Sequence, residues 1–480
     1  MELKKSSYIH LAVMLIIAFG ISVLPPFGMV TPFGMKAIGA FVAVLYGWIF
    51  FDLFWTSLFG FLILPILGLN SLAGAFATGI GHQMICIVLL TIVFAVALNS
   101  AGVPELVIQW LFKRKIINKS PWALIIGILL IAALLGAVGL GMAAMFLLWS
   151  IVYKICDYSG IEKRSSMMSF MIFEIAFLAN TMSFILPFSA GVLIYQSFML
   201  QVAGAAPIPA GPYMANAAIT LIALAVLNIV VAVFVFKVDA SKFALSDEIK
   251  NEITSAEVTS KQKNSFMVLV AYIAILLYAT LLPSAPGAAF VNMLGVGGIS
   301  LIGALVLAML NESGKGYVRL QDVFRNVDWS LLFLLAVTYP IADAIKHADA
   351  GIMPTIMTAV TPIVSQFGPF AFVVVCTLIL GTITQVTHNI VLGAMFMPFL
   401  MPILDSVGGN MYTLWFILLI VLNLAYVTPA GSMQSAMVFG NENMGRKYAY
   451  GLGAVLLVTG FVVYLGLGIF TGNFFFAGLI

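Results

Sequence analysis

Charge is what this 480-residue chain has least of: Asp, Glu, Lys and Arg make up 8% of it, against 63% apolar residues. From Ala350 to Leu404 there is none of the four. A soluble core cannot hide that much apolar surface, so the composition is that of a polytopic membrane protein. The net charge of +3 leaves no basic footprint for nucleic acid. Only three cysteines occur, Cys86, Cys156 and Cys376, without metal or disulfide spacing, and they are expected as free thiols. The sequence holds no H-E-x-x-H, no paired Asp and no G-x-S-x-G, so no enzyme and no cofactor are expected. MELKK followed by an apolar run lacks an A-x-A-like cleavage site, which favours a first anchor helix over a signal peptide.

Apolar runs separated by charge or turn residues fall near 8–23, 34–50, 53–69, 83–101, 213–237, 266–283, 291–310, 329–346 and 448–470, with a short piece at 352–365. The stretch 103–119 is amphipathic and reads as interfacial. Residues 238–264, rich in Lys, Glu and Ser, read as a solvated loop.

Two charge-free stretches fit neither one crossing nor two. Residues 368–404 fold at His388-Asn389 into arms of about 15–18 residues, roughly 22–27 Å each. Such arms fall short of the ~30 Å hydrocarbon core, so they form a re-entrant hairpin with a polar tip. Residues 121–153, with Gly136, Gly139 and Gly141 at the middle, read the same way. Two further spans are broken: 166–201 between Asn180 and Pro187, and 411–440 at Thr428-Pro429-Ala430-Gly431-Ser432. Unwound backbone at membrane depth survives only inside protein or beside a watery cavity.

The fold class is therefore all-α and polytopic, about 11 transmembrane helices plus two re-entrant hairpins in two inverted repeats. The divisions are an N-terminal helix (1–33), a first repeat (34–237), a cytoplasmic linker (238–265) and a second repeat (266–480). With the N-terminus in the cytoplasm, every Lys and Arg but Lys36 and Lys346 lies inside, 19 of 21. The repeat is weak but ordered: SAGV at 100 with DAGI at 349, Pro121-Trp-Ala with Pro369-Phe-Ala, AMFLLW at 144 with AMFMPF at 394. Paired broken helices in inverted repeats imply alternating access around a central site.

VTPFGMKAIGAFVAVLYGWIFFDLFWTSLFGFLILPILGL, NVDWSLLFLL, TQVTHNIVLGAMFMP and TPAGSMQSAMVFG together resemble the divalent-anion/sodium symporter family of dicarboxylate, citrate and sulfate carriers. The last two stand where that family carries T-E-F-x-S-N-T-A-T-A-A-x-x-x-P and P-x-G-T-P-P-N-A-x-V-F-G. The resemblance implies a homodimer in the cell membrane, moving a transport domain against a scaffold as an elevator. It also implies a small organic anion, di- or tricarboxylate-like, driven by Na⁺ or H⁺; a sulfate carrier or an anion channel is the alternative. The departures are specific: the Ser-Asn-Thr tip becomes His388-Asn389-Ile390, and Gly-Thr-Pro-Pro-Asn becomes Gly431-Ser432-Met433-Gln434-Ser435. The first tip, Val138-Gly139-Leu140-Gly141, carries no side-chain oxygen, so a cation there would depend on backbone carbonyls.

Candidate substrate ligands are Asn180, Thr181, Ser183, Thr387, His388, Asn389, Ser432, Gln434 and Ser435, which offer hydrogen bonds beside helix N-termini. Their bland reading is helix capping. Candidate coupling-ion residues are Glu174, Gly139, Gly141, Asn389 and Gly431. Glu174 is an ionisable group inside a span, a functional candidate by default and a proton carrier if the sodium site is lost. Asp343 is expected to pair with Lys346 three residues on, and Asp52 to shape a turn.

Overall fold

A computed structural model describes residues 5–479 except 115–118, 203 and 313–314. Apart from a two-residue strand pair near 311–316, the described residues with regular structure are helical. Ten helices among them are long and apolar enough to cross a membrane. The first half comprises α1 (Lys5–Ser22), α2 (Pro32–Phe50), α3 (Leu53–Ile66), α4 (Leu72–Thr78), α5 (Gln83–Ser100) and α6 (Val103–Phe112). There follow α7 (Pro121–Ala137), α8 (Gly141–Tyr158), α9 (Ser166–Thr181), α10 (Ala190–Met199) and α11 (Ala210–Phe236). Next come α12 (Asp247–Ser255), α13 (Ser260–Leu281), α14 (Ala288–Met309), α15 (Leu320–Arg325), α16 (Trp329–Lys346) and α17 (Ile352–Ile383). The chain ends with α18 (Asn389–Ser406), α19 (Met411–Asn423), α20 (Met433–Gly440), α21 (Arg446–Val462) and α22 (Ile469–Phe475).

Two antiparallel helix pairs, α7–α8 and α17–α18, turn at Val138–Leu140 and Thr384–His388. The turn after α7 needs a left-handed residue and finds it in Gly139, φ 79°. Close packing then requires two more glycines. A Cβ on Gly136 or Gly141 would collide with the carbonyl oxygen of Ala179, so the tip lies directly on the end of α9. Small residues at such crossings let backbones approach where no hydrophobic force drives helices together. Helix α9 stops at Thr181, passes through a short 3₁₀ turn (Met182–Phe184) and resumes as α10 behind the Ser189 N-cap. Helix α19 stops at Asn423, and α20 starts behind the Ser432 N-cap.

Both interrupted helices are buried, and cross-links hold them. Trp415 Nε1 donates to Tyr195 O, and Trp149 Nε1 to Ile172 O, each at 2.9 Å. Tyr426 OH donates to Ala176 O at 3.2 Å, joining the second break to α9. Interhelical bonds of this kind contribute on average about 0.6 kcal/mol each.

Several boundaries differ from expectation. Residues 352–365 and the arm after them form one assigned helix, α17, bent where Gly368 leaves helical geometry (φ 77°, ψ 166°). The linker is not all loop. Ser246 caps α12, Asp247 and Glu248 sit favourably in its first turn, and Glu252 pairs with Lys154 of α8. The final span runs on from α21 through a π-helical segment, Val463–Gly468, into α22. Asp52 caps α3, its carboxylate accepting from Trp55 N at 2.8 Å. The Asp343–Lys346 pair does not form within 4.0 Å: Lys346 Nζ reaches instead to the carbonyl of Gln201, beyond the end of α10.

Candidate functional site

The tip of the first hairpin faces a cavity of about 210 Å³ lined by Gly139, Gly141, Met142, Met145, Ala176, Ala179, Asn180, Ser183, Ser189, Ala190, Gly191 and Gln434. None of these is charged. Three helices begin at its wall: α8 at Gly141, α10 at Ala190 and α20 one residue before Gln434. The first bond back in α8 is Ala144 N to Leu140 O, and in α10 it is Val192 N to the Ser189 hydroxyl. In α20 it is Ser435 N to the Ser432 hydroxyl. Among the described residues, the N–H groups of Gly141, Met142, Ala143, Ala190, Gly191, Met433 and Gln434 therefore have no assigned acceptor. Each helix N-terminus carries roughly +0.5 of a charge, and here three border one space. Asn180 adds a side-chain nitrogen without a protein partner. The arrangement can accept an anion and repel a cation.

Of the sequence candidates, the structure brings Gly139, Gly141, Asn180, Ser183 and Gln434 to this cavity. Thr181 lies beside it in the chain but is fully buried, its hydroxyl unpartnered. Ser183 donates to Asn180 O at 2.6 Å.

The second tip is arranged differently, and apart from Gln434 the candidates of the second half do not line the cavity. Ser432 donates to Ala425 O at 2.9 Å while capping α20, and Ser435 donates to Thr428 O at 2.8 Å. Their hydroxyls are taken up in closing the break, which is the capping reading. Asn389 donates to Asn423 Oδ1 at 2.6 Å, and Gly431 packs so that a Cβ would lie 2.9 Å from Thr384 O. Thr387 and His388 are half-buried at the turn, and His388 Nδ1 has no partner.

Glu174 lies at the middle of α9, fully buried and outside the cavity. Its Oε1 accepts from Asn228 Nδ2 at 2.9 Å, and Asn228 Oδ1 accepts from the Thr459 hydroxyl at 3.2 Å. Its Oε2 has no partner.

Two residues missed in the sequence hold the second tip together. Gln385 donates to Gly381 O (2.9 Å) and Leu424 O (3.2 Å) and accepts from Val427 N (2.9 Å). Asn423 joins the tip through Asn389 and donates to Leu419 O at 2.7 Å. A lone amide closing the apolar run MYTLWFILLIVLN was the available signal.

Hairpins ending on broken helices, with helix N-termini around a small uncharged cavity, make a membrane transporter. The chain belongs to the citrate transporter family, CitMHS, whose model matches residues 41–422. Among solved structures it resembles one described as "Crystal structure of the Alcanivorax borkumensis YdaH transporter reveals an unusual topology". The identity is 12% and the TM-score 0.56, over 83% of this chain and 88% of that one. That likeness is one of fold. No curated protein matches the chain.

Proposed function

We propose that this protein is a secondary active transporter of a small organic anion, a di- or tricarboxylate, bound in the 210 Å³ cavity between the first hairpin tip and the starts of α8, α10 and α20. The observation that carries this reading is the convergence of three helix N-termini, their N–H groups unpaired, on a space with no charged residue in its wall. At ~30 Å³ per water the cavity has room for about seven waters, which suits a compact polar anion. The description of the family agrees with a carboxylate. The two hairpins and two broken helices form the moving part, and the chain works as a homodimer in the cell membrane.

Coupling is to Na⁺ or H⁺. A hard cation needs several oxygens, and the first tip offers only backbone carbonyls beside Asn180 and Ser183. Glu174, with one oxygen unpartnered, is the residue that would carry a proton. Uptake into proteoliposomes of labelled citrate, succinate and sulfate, with Na⁺ and pH gradients imposed separately, tests the whole reading. Concentrative uptake of a carboxylate under one gradient is expected. A shifted reversal potential without accumulation would make the protein a channel, and accumulation of sulfate alone would remove the carboxylate.

A further inference from the structure

The cavity at the first tip does not stand alone. A second one of about 360 Å³ adjoins it, and the two share Gly139, Met142, Ser189 and Ala190. The larger cavity runs between the tip, α5 and α13 and ends at Asn99 and Asn326, both exposed. That end lies on the face of the linker joining the halves. Ser100 O accepts from Lys261 Nζ at 3.0 Å, and Asn264 Nδ2 donates to Tyr317 OH at 2.8 Å.

Toward the opposite face, α10 is fastened to α16. Helix α16 starts three residues after Asn326 and has 18 residues, about 27 Å at 1.5 Å each, so its far end lies across the molecule. There Lys346 Nζ donates to Gln201 O, Gln201 Nε2 to Thr338 Oγ1 (3.4 Å) and Tyr339 OH to Ser197 O (3.3 Å). These bonds fasten the end of α10 to α16 and leave a gap of only about 20 Å³. The turn at Val138–Leu140 and the unwound residues 185–189 meanwhile carry backbone polar groups at membrane depth, where only protein or water can satisfy them.

We propose that the 360 Å³ cavity is the water-filled route between the site and the linker-side face, with Met142 and Ser189 at its narrow point. This rests on the transporter reading. The route has no carboxylate in its wall, and the Lys261 ammonium lies beside its mouth, so an anion meets no opposing charge along it.

Single cysteines test this in a background of Cys86→Ser, Cys156→Ala and Cys376→Ala. Thr91→Cys and Ala95→Cys lie in the cavity wall and Asn99→Cys at its mouth, while Leu134→Cys, exposed on the outside of α7, is the control. The probe is the membrane-impermeant anion 2-sulfonatoethyl methanethiosulfonate, applied separately to each face of sealed vesicles. Thr91→Cys and Ala95→Cys are expected to react from the linker-side face at least tenfold faster than Leu134→Cys. Once labelled, they are expected to lose citrate uptake. Reaction no faster than at Leu134→Cys, reaction only from the Lys36 side, or full uptake after labelling would each overturn the route. Labelling requires no transport, so fast labelling in a protein that never takes up citrate would instead strike the carboxylate reading.

Discussion

Replacing Gln385 asks whether the second hairpin is fixed to the second break. Gln385→Met keeps the length of the side chain and removes its three bonds, to Gly381 O, Leu424 O and Val427 N. The losses are unequal. Leu424 O keeps the N–H of Tyr426 at 3.0 Å, so it is not stranded. Val427 N has no other acceptor among the described residues. Stranding one buried donor costs about 1–3 kcal/mol, and losing the two bonds to carbonyls about 0.5–1.5 each, for a total of about 2–6 kcal/mol. At about 2 °C per kcal/mol for a long chain, the thermal midpoint in detergent should fall by roughly 4–12 °C. Thr382→Val is the control. It sits on the same arm, exposed, and its hydroxyl only returns to Leu378 O at 2.7 Å, so a change within about 0.5 kcal/mol is expected. Uptake should fall in Gln385→Met and persist in the control. If the two variants melt together and transport alike, the second tip is not held as described.

Other perturbations separate the roles of individual groups. Asn180→Asp places a carboxylate in the wall of the cavity proposed to hold the anion, and apparent affinity for citrate should drop at least tenfold while the thermal midpoint stays within a few degrees; unchanged affinity would move the site elsewhere. Gly141→Ala pushes a methyl into the Ala179 carbonyl, a collision that overpacking data put at about 1–3 kcal/mol. Its midpoint and uptake should both fall, and a wild-type midpoint would show that the tip does not rest on α9. Glu174→Gln keeps an oxygen for the Asn228 amide but cannot carry a proton. It should abolish accumulation under a pH gradient while leaving substrate exchange intact; accumulation equal to the parent's removes Glu174 from coupling. His388→Ala should lower uptake and alter its pH profile, since the ring is placed at a turn with Nδ1 unpartnered. Identical uptake at every pH would make it structural.

What the sequence made legible follows from physics that acts along the chain. Arms too short for hydrocarbon, a charge-free run with a polar middle and a Pro-Gly break are local features, and they mark the turns at Val138–Leu140 and Thr384–His388 and the interruptions near Asn180 and Thr428. What was not legible depends on contacts between distant segments. Ser432 and Ser435 look like ligands in one dimension, yet their hydroxyls are used by Ala425 O and Thr428 O. Gln385 looks like one polar residue among five, and only the folded chain shows it bonded across about 40 residues to Leu424 and Val427. The Asp343–Lys346 spacing suits an ion pair on a helix surface, but Lys346 finds a carbonyl on another element first. Ser246, a plain capping residue before Asp247 and Glu248, did announce α12 and was passed over in a segment whose composition read as loop.

The placement of the first hairpin decides whether any of this chemistry is at membrane depth. If α7 and α8 were a single crossing, Lys119 and Lys154 would lie on opposite faces. The structure ties both ends of the pair to one end of the molecule. Helix α7 starts beside α6, which packs against α12, and α8 ends where Lys154 meets Glu252 of that same α12. Ser159, just past α8, donates to Ala244 O in the linker at 3.3 Å. Two helices of 17 and 18 residues, about 26 Å each, that leave and return to one face put the turn at Gly139 well inside the hydrocarbon layer. Impermeant labelling of Lys119→Cys and Lys154→Cys in sealed vesicles should therefore occur from the same face, the one that also labels Glu257→Cys in the linker. Lys154 is half exposed and its surface ion pair contributes little, so loss of that pair should not itself unfold the hairpin. Labelling from opposite faces would turn the hairpin into a crossing, carry Gly139 and Gly141 through the bilayer rather than to its middle, and leave the three helix N-termini without a common space to face.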